Sequence, residues 1–367
     1  MPDRKKAEAA RDQLARMGSS GLDLETFRVR TFDAIRPVVP FDAAFWTIAD
    51  PATLLFTRGM QEELPPQSAP AFLENEFMTN DVNQFVAVAA EPRRMHTMHA
   101  VTGGDMSKSA RFREILEPLG LGDELRIAFT DKTGVWGFVC LHRELGTPPF
   151  SEQESAFLNR VSPIVAHGIR TSILLAATRT QGKHPSVPGL VVLSEDLRYV
   201  GANDAGRSWL ERFDDADRVG GMPSSFYAVA AALRGMPSGE PARTRTLTPS
   251  GWAAIHPSWM DISGVRHIAL LIEEPSAVEL APLIVSAYGL TPQQSRVVEL
   301  VCRGSSTAAI SSELMISPHT VQDHMKAIFE KMGASNRREL AGSLLSGHYM
   351  PRAMAQEPIN RRGQFDR

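Results

Sequence analysis

The chain has 367 residues and a mass of 40.2 kDa, a length that predicts two or three domains. It has 43% hydrophobic residues, and 39 Lys and Arg stand against 42 Asp and Glu. These values exclude a polybasic coat protein, an acidic tail protein and bulk disorder. The two cysteines, Cys140 and Cys302, are too few for a disulfide scaffold or a CxxC metal knuckle. No apolar run reaches the roughly 18 residues of a membrane-spanning helix, and the N-terminus lacks a signal-peptide core. We therefore expect a cytoplasmic protein with no membrane partner.

Residues 1–40 predict an N-terminal helical segment, which Pro37 and Pro40 should end. In the next block, residues 41–178, the runs AAFWTIA and ATLLFT predict two strands joined by a turn. A mainly helical stretch over 61–118 follows. The runs DELRIAFT and VWGFVCLH then predict a hairpin around residues 131–134.

Both faces of the strand VWGFVCLH are apolar, so we expect its sheet to be covered on both sides. One cover should be a helix, and the other could be a ligand cavity. Any single aromatic residue that could line this cavity is more simply explained as part of the hydrophobic core. The same holds for the Cys140 thiol. The candidate cavity residues are Phe45, Trp46, Phe112, Trp136 and Phe138.

A helix should close this block, because Ser151 and Glu154 fit a capping box. Its apolar stripe is a candidate dimer element that could pair with its twin in a second copy. The stripe consists of Phe157, Val161, Ile164, Ile169 and Ile173.

A Pro- and Gly-containing linker at 180–188 leads to the block 189–273. There LVVL and RYVGA predict a hairpin, NDAGRSWLERF a short helix, and TRTLT, AAIHPSW and VRHIALLI three further strands. A second linker is predicted at 274–285. Residues 350–367 are polar and predict a disordered tail.

Residues 286–349 carry a helical pattern in which capping residues mark where the helices begin and end. Thr291, Pro292 and Gln294 form a capping box with proline at the first helical position. Ser306 can cap a second short helix, and a turn at 315–316 precedes a third. Two short helices, a tight turn and a longer capped helix predict a helix-turn-helix.

The third helix should run from Ser317 to a stop at Gly333, with one apolar stripe at helical period. That stripe consists of Val321, Met325, Ile328 and Met332. The opposite side carries polar side chains that can reach base edges or phosphates in a major groove. They are Thr320, Gln322, Asp323, Lys326 and, at the edge, His319.

These features resemble the LuxR/NarL-type tetrahelical DNA-binding domain of bacterial transcription regulators. The resemblance rests on LTP at 290–292, ISPHTV at 316–321 and the helix stop at Gly333. The resemblance implies double-stranded DNA as partner and two sets of contact residues. Thr320, Gln322, Asp323 and Lys326 would lie in the groove. Ser306, Thr307, Ser317 and His319 would lie near the phosphates.

This segment departs from the family where Gln294 replaces a common Glu and where Ala308 and Ala309 replace a common Lys and Glu. Over 286–349, Lys and Arg exceed Asp and Glu by only one, which is low for a DNA-binding domain. We therefore expect a homodimer that reads two half-sites about one helical turn apart.

The block 41–178 resembles a GAF domain, and the features that carry this resemblance are FDAAFWTIAD, the DKTG hairpin and the closing helix. The block 189–273 resembles a PAS-like sensor fold, and the features that carry this resemblance are GLVVLSEDLRYVGANDAGRSWL and the three strands after it. The resemblance implies a multidomain α+β chain in which two antiparallel-sheet sensor domains precede an all-α DNA-binding domain. A small-molecule effector or a partner would then control DNA binding.

Two alternatives remain beside this transcription regulator. A phosphorylated response regulator would need an N-terminal α/β receiver domain. An enzyme or ligand carrier with a vestigial helix-turn-helix would need a coherent set of catalytic residues. We find no catalytic constellation, cofactor motif or metal-ligand pattern, and expect a protein that is not an enzyme.

Overall fold

The computed structural model describes residues 4–179, 187–213, 218–219, 221–235, 243–275, 279, 283 and 287–340. Within these ranges no helix combines the length and apolarity that crossing a membrane requires. The predicted linkers at 180–188 and 274–285 lie largely outside the described residues, and the predicted tail at 350–367 lies entirely outside them. The chain divides into two compact units, one that ends at Glu274 and one that begins at Pro275.

The larger unit begins with two helices and a five-stranded sheet. Its elements are α1 (Arg4–Gly18), α2 (Leu24–Ile35), β1 (Ala43–Ala49), β2 (Phe56–Glu62), α3 (Ala69–Met78), α4 (Phe85–Ala90), β3 (Met95–Thr97), α5 (Met98–Thr102), β4 (Leu121–Asp131), β5 (Gly134–Glu144) and α6 (Glu152–Arg179). The strand order is β2-β1-β5-β4-β3. The pairings of β1 with β2, β1 with β5 and β3 with β4 are antiparallel.

A second five-stranded sheet follows in the same unit. Its elements are β6 (Gly189–Ser194), β7 (Tyr199–Ala202), α7 (Asp204–Leu210), β8 (Arg218–Val219), β9 (Met222–Pro223), α8 (Ser224–Gly235), β10 (Thr244–Thr248), β11 (Gly251–Ile262) and β12 (Val265–Glu273). The order is β10-β11-β12-β6-β7, and β8 and β9 form a separate two-stranded sheet among the described residues. The second sheet, read from its other edge, is β7-β6-β12-β11-β10. When the five strands of each sheet are numbered along the chain, both sheets therefore have the order second, first, fifth, fourth, third.

Polar contacts join the two sheets into one unit. The guanidinium of Arg245 on β10 pairs with both carboxylate oxygens of Asp50, at 2.8 and 2.7 Å. The backbone N–H of Gly59 on β2 donates to Ser224 Oγ at the start of α8, at 3.1 Å. Asp50 is buried and Arg245 is only slightly exposed, so this ion pair belongs to the interior of the larger unit.

The predicted strand ATLLFT begins later than expected. A turn occupies its first residues, because Leu54 N–H donates to the Asp50 carbonyl at 2.7 Å and Leu54 has a left-handed φ of 60°. Asp50 also accepts from Ala52 N–H at 2.9 Å, so β2 starts only at Phe56. β3, α8 and the short β8–β9 pair were not predicted from the sequence.

The apolar stripe of α6 does not face outward as a dimer element would. Phe157, Val161, Ile169 and Ile173 are buried, because α6 packs against β4, α1 and α2 of the same chain. Gly168 allows this close packing, since a Cβ atom there would lie 2.0 Å from Phe27 Cζ on α2. Four of the five stripe residues are therefore covered by the same chain, and Ile164 is half-buried.

The smaller unit is helical where it is described. It contains α9 (Pro292–Cys302), α10 (Thr307–Leu314), α11 (Pro318–Met332) and a helical segment at 337–340. One apolar cluster holds these helices together, and Val297, Ile310, Val321 and Ile328 at its centre are fully buried.

Candidate DNA interface and ligand cavity

Each described helix of the smaller unit begins with a side-chain N-cap. Thr291 Oγ1 accepts from Gln294 N–H at 3.2 Å, and Gln294 Oε1 accepts from Thr291 N–H at 3.0 Å, which completes the predicted capping box. Ser306 Oγ accepts from Ala309 N–H at the start of α10. Ser317 Oγ accepts from Thr320 N–H at the start of α11. These bonds place each helix start at the residue that the sequence predicts.

The turn between α10 and α11 is tight. Met315 adopts a left-handed φ of 51°, and its N–H and that of Ile316 bond back to the last turn of α10. Ser311 Oγ donates to the Ile316 carbonyl at 2.5 Å. The turn thereby fixes the angle at which α11 leaves α10.

α11 presents one polar face to solvent. Its four buried residues are those predicted from the sequence: Val321, Met325, Ile328 and Met332. His319, Gln322, Asp323 and Lys326 are exposed, and Thr320 is half-buried. The helix ends at Gly333, whose φ of 65° is left-handed.

Two of the predicted contact residues already interact with each other. His319 Nδ1 lies 3.1 Å from Asp323 Oδ2, and their side chains are 82% and 67% exposed. A polar contact so exposed contributes little stability, so both side chains remain available to a partner. Ser306 uses an oxygen lone pair as a helix cap, which leaves its hydroxyl able to donate. Ser317 Oγ lies 2.8 Å from Thr320 Oγ1 as well, and either hydroxyl can be the donor.

Most cations among the described residues of the smaller unit are engaged within the protein. Arg296 and Arg303 both pair with Glu299. Lys331 Nζ donates to the Gly289 carbonyl and to Gln294 Oε1, both at 2.8 Å, and so supports the cap of α9. By contrast, neither Lys326 nor Arg338 has a protein partner among the residues that the structure describes.

Arg338 was not among the predicted contacts. It is exposed one residue after Arg337, whose guanidinium donates to the Ser305 carbonyl. Adjacent arginines look alike in sequence, and only the fold shows that one is engaged and the other is not.

The larger unit contains a narrow cavity between the first sheet and α3. It gives a water-sized sphere only about 20 Å³ of room. Glu76, Arg126 and Cys140 bring polar atoms to its wall. The remaining lining is Phe45, Phe56, Gln61, Leu64, Ala69, Phe72, Leu73 and Phe85.

The structure does not bring the five predicted aromatic residues to this cavity. Only Phe45 lines it. Trp46, the next residue on β1, points to the opposite face of the sheet and packs on Phe32 and Phe129. Phe138 packs behind the lining against Phe56 and Phe85. Phe112 belongs to a neighbouring apolar cluster, and Trp136 is fully buried.

Comparison with known proteins gives a match to the C-terminal segment. Residues 289–344 match the family model described as "Bacterial regulatory proteins, luxR family". A stretch of 58 residues, 16% of this chain, is 38% identical to the transcriptional regulatory protein UhpA of Escherichia coli, and the same values hold for UhpA of Salmonella typhimurium. The match spans 30% of the length of these relatives.

Similar solved structures include Escherichia coli SdiA, at 12% identity and a TM-score of 0.32, covering 92% of this chain and 95% of that chain. Another is the phage VqmA–DPO complex, at 21% identity and a TM-score of 0.24, covering 46% of this chain and 86% of that chain. Likenesses with such low TM-scores carry no argument about the larger unit. The family match and the capped α9–α11 arrangement agree, and residues 289–344 are a LuxR-family helix-turn-helix domain.

Proposed function

We propose that the chain is a sequence-specific transcription regulator that reads double-stranded DNA with the polar face of α11. One observation carries the proposal: α11 buries a single stripe and exposes the opposite face, in a segment that matches a family of regulatory proteins. A helix with this division can enter a major groove while its apolar side holds the domain together.

The side chains on this face have complementary chemistry. Lys326 can donate to guanine O6 and N7, and Gln322 can bond adenine through both amide atoms. Asp323 can accept from cytosine N4 through Oδ1, since Oδ2 faces His319. Thr320 lies one turn earlier and can contact a base or a thymine methyl group.

Phosphate contacts are proposed for the residues at the starts of α10 and α11. A helix N-terminus carries partial positive charge and unpaired N–H groups, which suit a phosphate. Ser306 and Thr307 lie at the start of α10, and Ser317 and His319 lie at the start of α11. These contacts would set the position of α11 on the duplex without reading bases.

A dimer follows from the weak charge of the domain. With only one excess positive charge over 286–349, a single copy gains little from phosphate neutralisation. Two copies on a palindromic site combine two such contacts. Because the α6 stripe is buried, we assign dimer formation to a surface other than that stripe.

The larger unit is proposed to sense a small molecule or partner that changes DNA binding. The cavity supports this role, since an apolar lining with a few polar groups is typical of ligand sites. The repeated strand order of the two sheets is compatible with two sensor blocks of GAF-like and PAS-like type over 41–178 and 189–273. Coupling requires only that the effector favour one conformation over another.

The cavity can be tested with a cavity-filling variant. In a thermal-shift screen, compounds that stabilise the wild type should not stabilise Ala69→Leu, which fills the cavity wall. Those compounds should also change DNA affinity of the wild type. Equal stabilisation of the variant would place ligand binding elsewhere.

The DNA-binding proposal is tested by incubating the full-length protein with random duplex DNA and sequencing what it retains. We expect a palindrome whose half-sites lie about one helical turn apart. Retention without base preference would reduce the role to nonspecific binding.

A further inference from the structure

A buried charged network lies behind the cavity of the larger unit. Arg111 donates to Glu124 Oε2 from Nε at 3.0 Å and from Nη2 at 2.8 Å, and all three atoms are buried. Arg126 lies between Glu124 and Glu76 and forms ion pairs with both. All four side chains are nearly completely buried.

Among the described residues of this region, Glu124 Oε1, both ring nitrogens of His142 and Arg126 Nε have no hydrogen-bond partner. Arg126 Nε still lies 3.0 Å from Glu124 Oε2 in an ion pair, whereas the other three atoms have no such contact. Glu124 and His142 are fully buried. Leaving a buried polar group unpaired costs about 1–3 kcal/mol. Three such atoms in one place indicate that something else binds them.

The unpaired atoms converge with a thiol. One ligand atom each from Glu124, Cys140 and His142 lies within 4.8 Å of the other two. Glu124 is on β4, and the other two are on the neighbouring strand β5. Cys140 also lines the cavity between the first sheet and α3.

We propose that Glu124, Cys140 and His142 form a binding site for a divalent transition-metal ion of the Zn²⁺ type. Sulfur, nitrogen and oxygen ligands are the set that Zn²⁺ takes in proteins, and three protein ligands leave a fourth position for water or a ligand. Zn–S and Zn–N distances of about 2.3 and 2.1 Å place tetrahedral ligands roughly 3.5 Å apart. Closing the three ligands on the ion therefore needs shifts of about 1 Å, within side-chain reach.

The charge around the site suits an added cation. Glu76, Asp81 and Glu124 supply three carboxylates, and Arg111 and Arg126 supply two guanidiniums. One negative charge is therefore in excess. Binding a divalent ion with loss of the Cys140 proton to solvent adds one net positive charge and balances it.

Burial lowers the pKa of His142 to about 4. Burial would raise the pKa of Glu124, but Arg111 and Arg126 outweigh it and lower that pKa to about 2. Burial and then Glu124 raise the pKa of Cys140 to about 12, so binding a metal ion has to displace the thiol proton.

Co²⁺ tests the site, because a cobalt–thiolate bond gives a charge-transfer absorption that histidines and carboxylates do not. Full-length protein is stripped with a chelator and titrated with Co²⁺. We expect the thiolate band and the visible bands of tetrahedral Co²⁺ to saturate at one ion per chain and to disappear on adding Zn²⁺. If the wild type shows no thiolate band, the proposal is wrong.

Two variants and a control identify the ligands. Cys140→Ser should abolish the thiolate band, and Cys302→Ser, which alters the other thiol, should keep it. His142→Gln should keep the thiolate band but weaken Co²⁺ affinity at least tenfold. A band that survives Cys140→Ser, or unchanged affinity in His142→Gln, would overturn the assignment. Circular dichroism of each variant shows whether it is folded, and the wild-type titration stands independently of them.

Discussion

At the scale of single residues, Lys326 is the clearest candidate for a DNA contact. Its ammonium has no protein partner among the described residues, and it lies on the exposed face of α11. We expect Lys326→Ala to weaken binding to a selected site by about 1–3 kcal/mol if Lys326 contacts a base. Fluorescence anisotropy on a labelled duplex measures the loss.

Lys331→Ala is the matched control, since it removes the same charge from the same helix. The Lys331 ammonium is bonded to Gly289 and Gln294, so this variant should lower stability more than DNA affinity at temperatures where it is folded. If Lys326 contacts a phosphate instead, the salt dependence of binding should fall by about one unit of slope. Unchanged affinity and slope would remove Lys326 from the interface.

A second residue-level feature concerns the turn of the helix-turn-helix. Met315 is 91% exposed and has a left-handed φ of 51°. This backbone conformation costs an L-residue about 1–2 kcal/mol, and glycine avoids most of that cost. We predict that Met315→Gly stabilises the smaller unit by up to about 1 kcal/mol in urea unfolding.

Met315→Ala provides the comparison, because alanine removes the exposed side chain but retains the unfavourable φ. It should therefore stabilise less than glycine does. Equal effects of the two substitutions would mean that the side chain, and not the backbone conformation, determines the cost.

At the scale of elements, the packing of α6 on α2 depends on Gly168. Alanine there would place Cβ 2.0 Å from Phe27 Cζ and 2.3 Å from Phe27 Cε2. Phe27 is buried, so it has little room to move. Although alanine favours helix by about 1 kcal/mol over glycine, we expect Gly168→Ala to destabilise the larger unit by roughly 1–3 kcal/mol.

Gly201→Ala is the control for this prediction, because nothing lies within 4 Å of its added Cβ. Its effect on the unfolding midpoint should be small. A Gly168→Ala variant as stable as the wild type would show that the helices separate without cost.

The elements that the sequence predicted well are those with local signals. The start of α11 follows from Ser317 and Pro318, and its end follows from Gly333. The capping box of α9 likewise uses two residues three positions apart. The start of β2 was missed because the turn before it is closed by backbone hydrogen bonds from Leu54, which no residue pattern shows.

The buried network could not be predicted for a different reason. Its ion pairs join residues far apart in sequence, Arg126 with Glu76 and Arg111 with Glu124. Isolated arginines and glutamates normally indicate a solvated surface. Only the fold shows that they lie together inside the larger unit, next to Cys140 and His142.

At the scale of the whole molecule, the two sheets before Glu274 fold as one compact unit. The buried pair of Arg245 and Asp50 joins them, and the Asp50 carboxylate also accepts from Ala52 N–H. Arg245→Ala would leave the Asp50 carboxylate without its counterion. We expect a loss of roughly 3 kcal/mol in the free energy of unfolding.

An exposed ion pair serves as the control for this measurement of unfolding free energy. Arg207 pairs with Asp204 on α7, where both side chains are more than half exposed. Arg207→Ala should cost less than about 1 kcal/mol. If Arg245→Ala is equally mild, the ion pair does not hold the two sheets together.

The central claim is that α11 reads base sequence, and Asp323 tests it most directly. The wild type and Asp323→Ala are incubated in parallel with the same pool of random duplex DNA, and the retained sequences are compared. We predict that both select sites with the same symmetry and half-site spacing, but that the variant loses the preference for cytosine at one position in each half-site. Identical base preferences in the two proteins, or no enrichment by either the full chain or the segment 286–349, would contradict the claim.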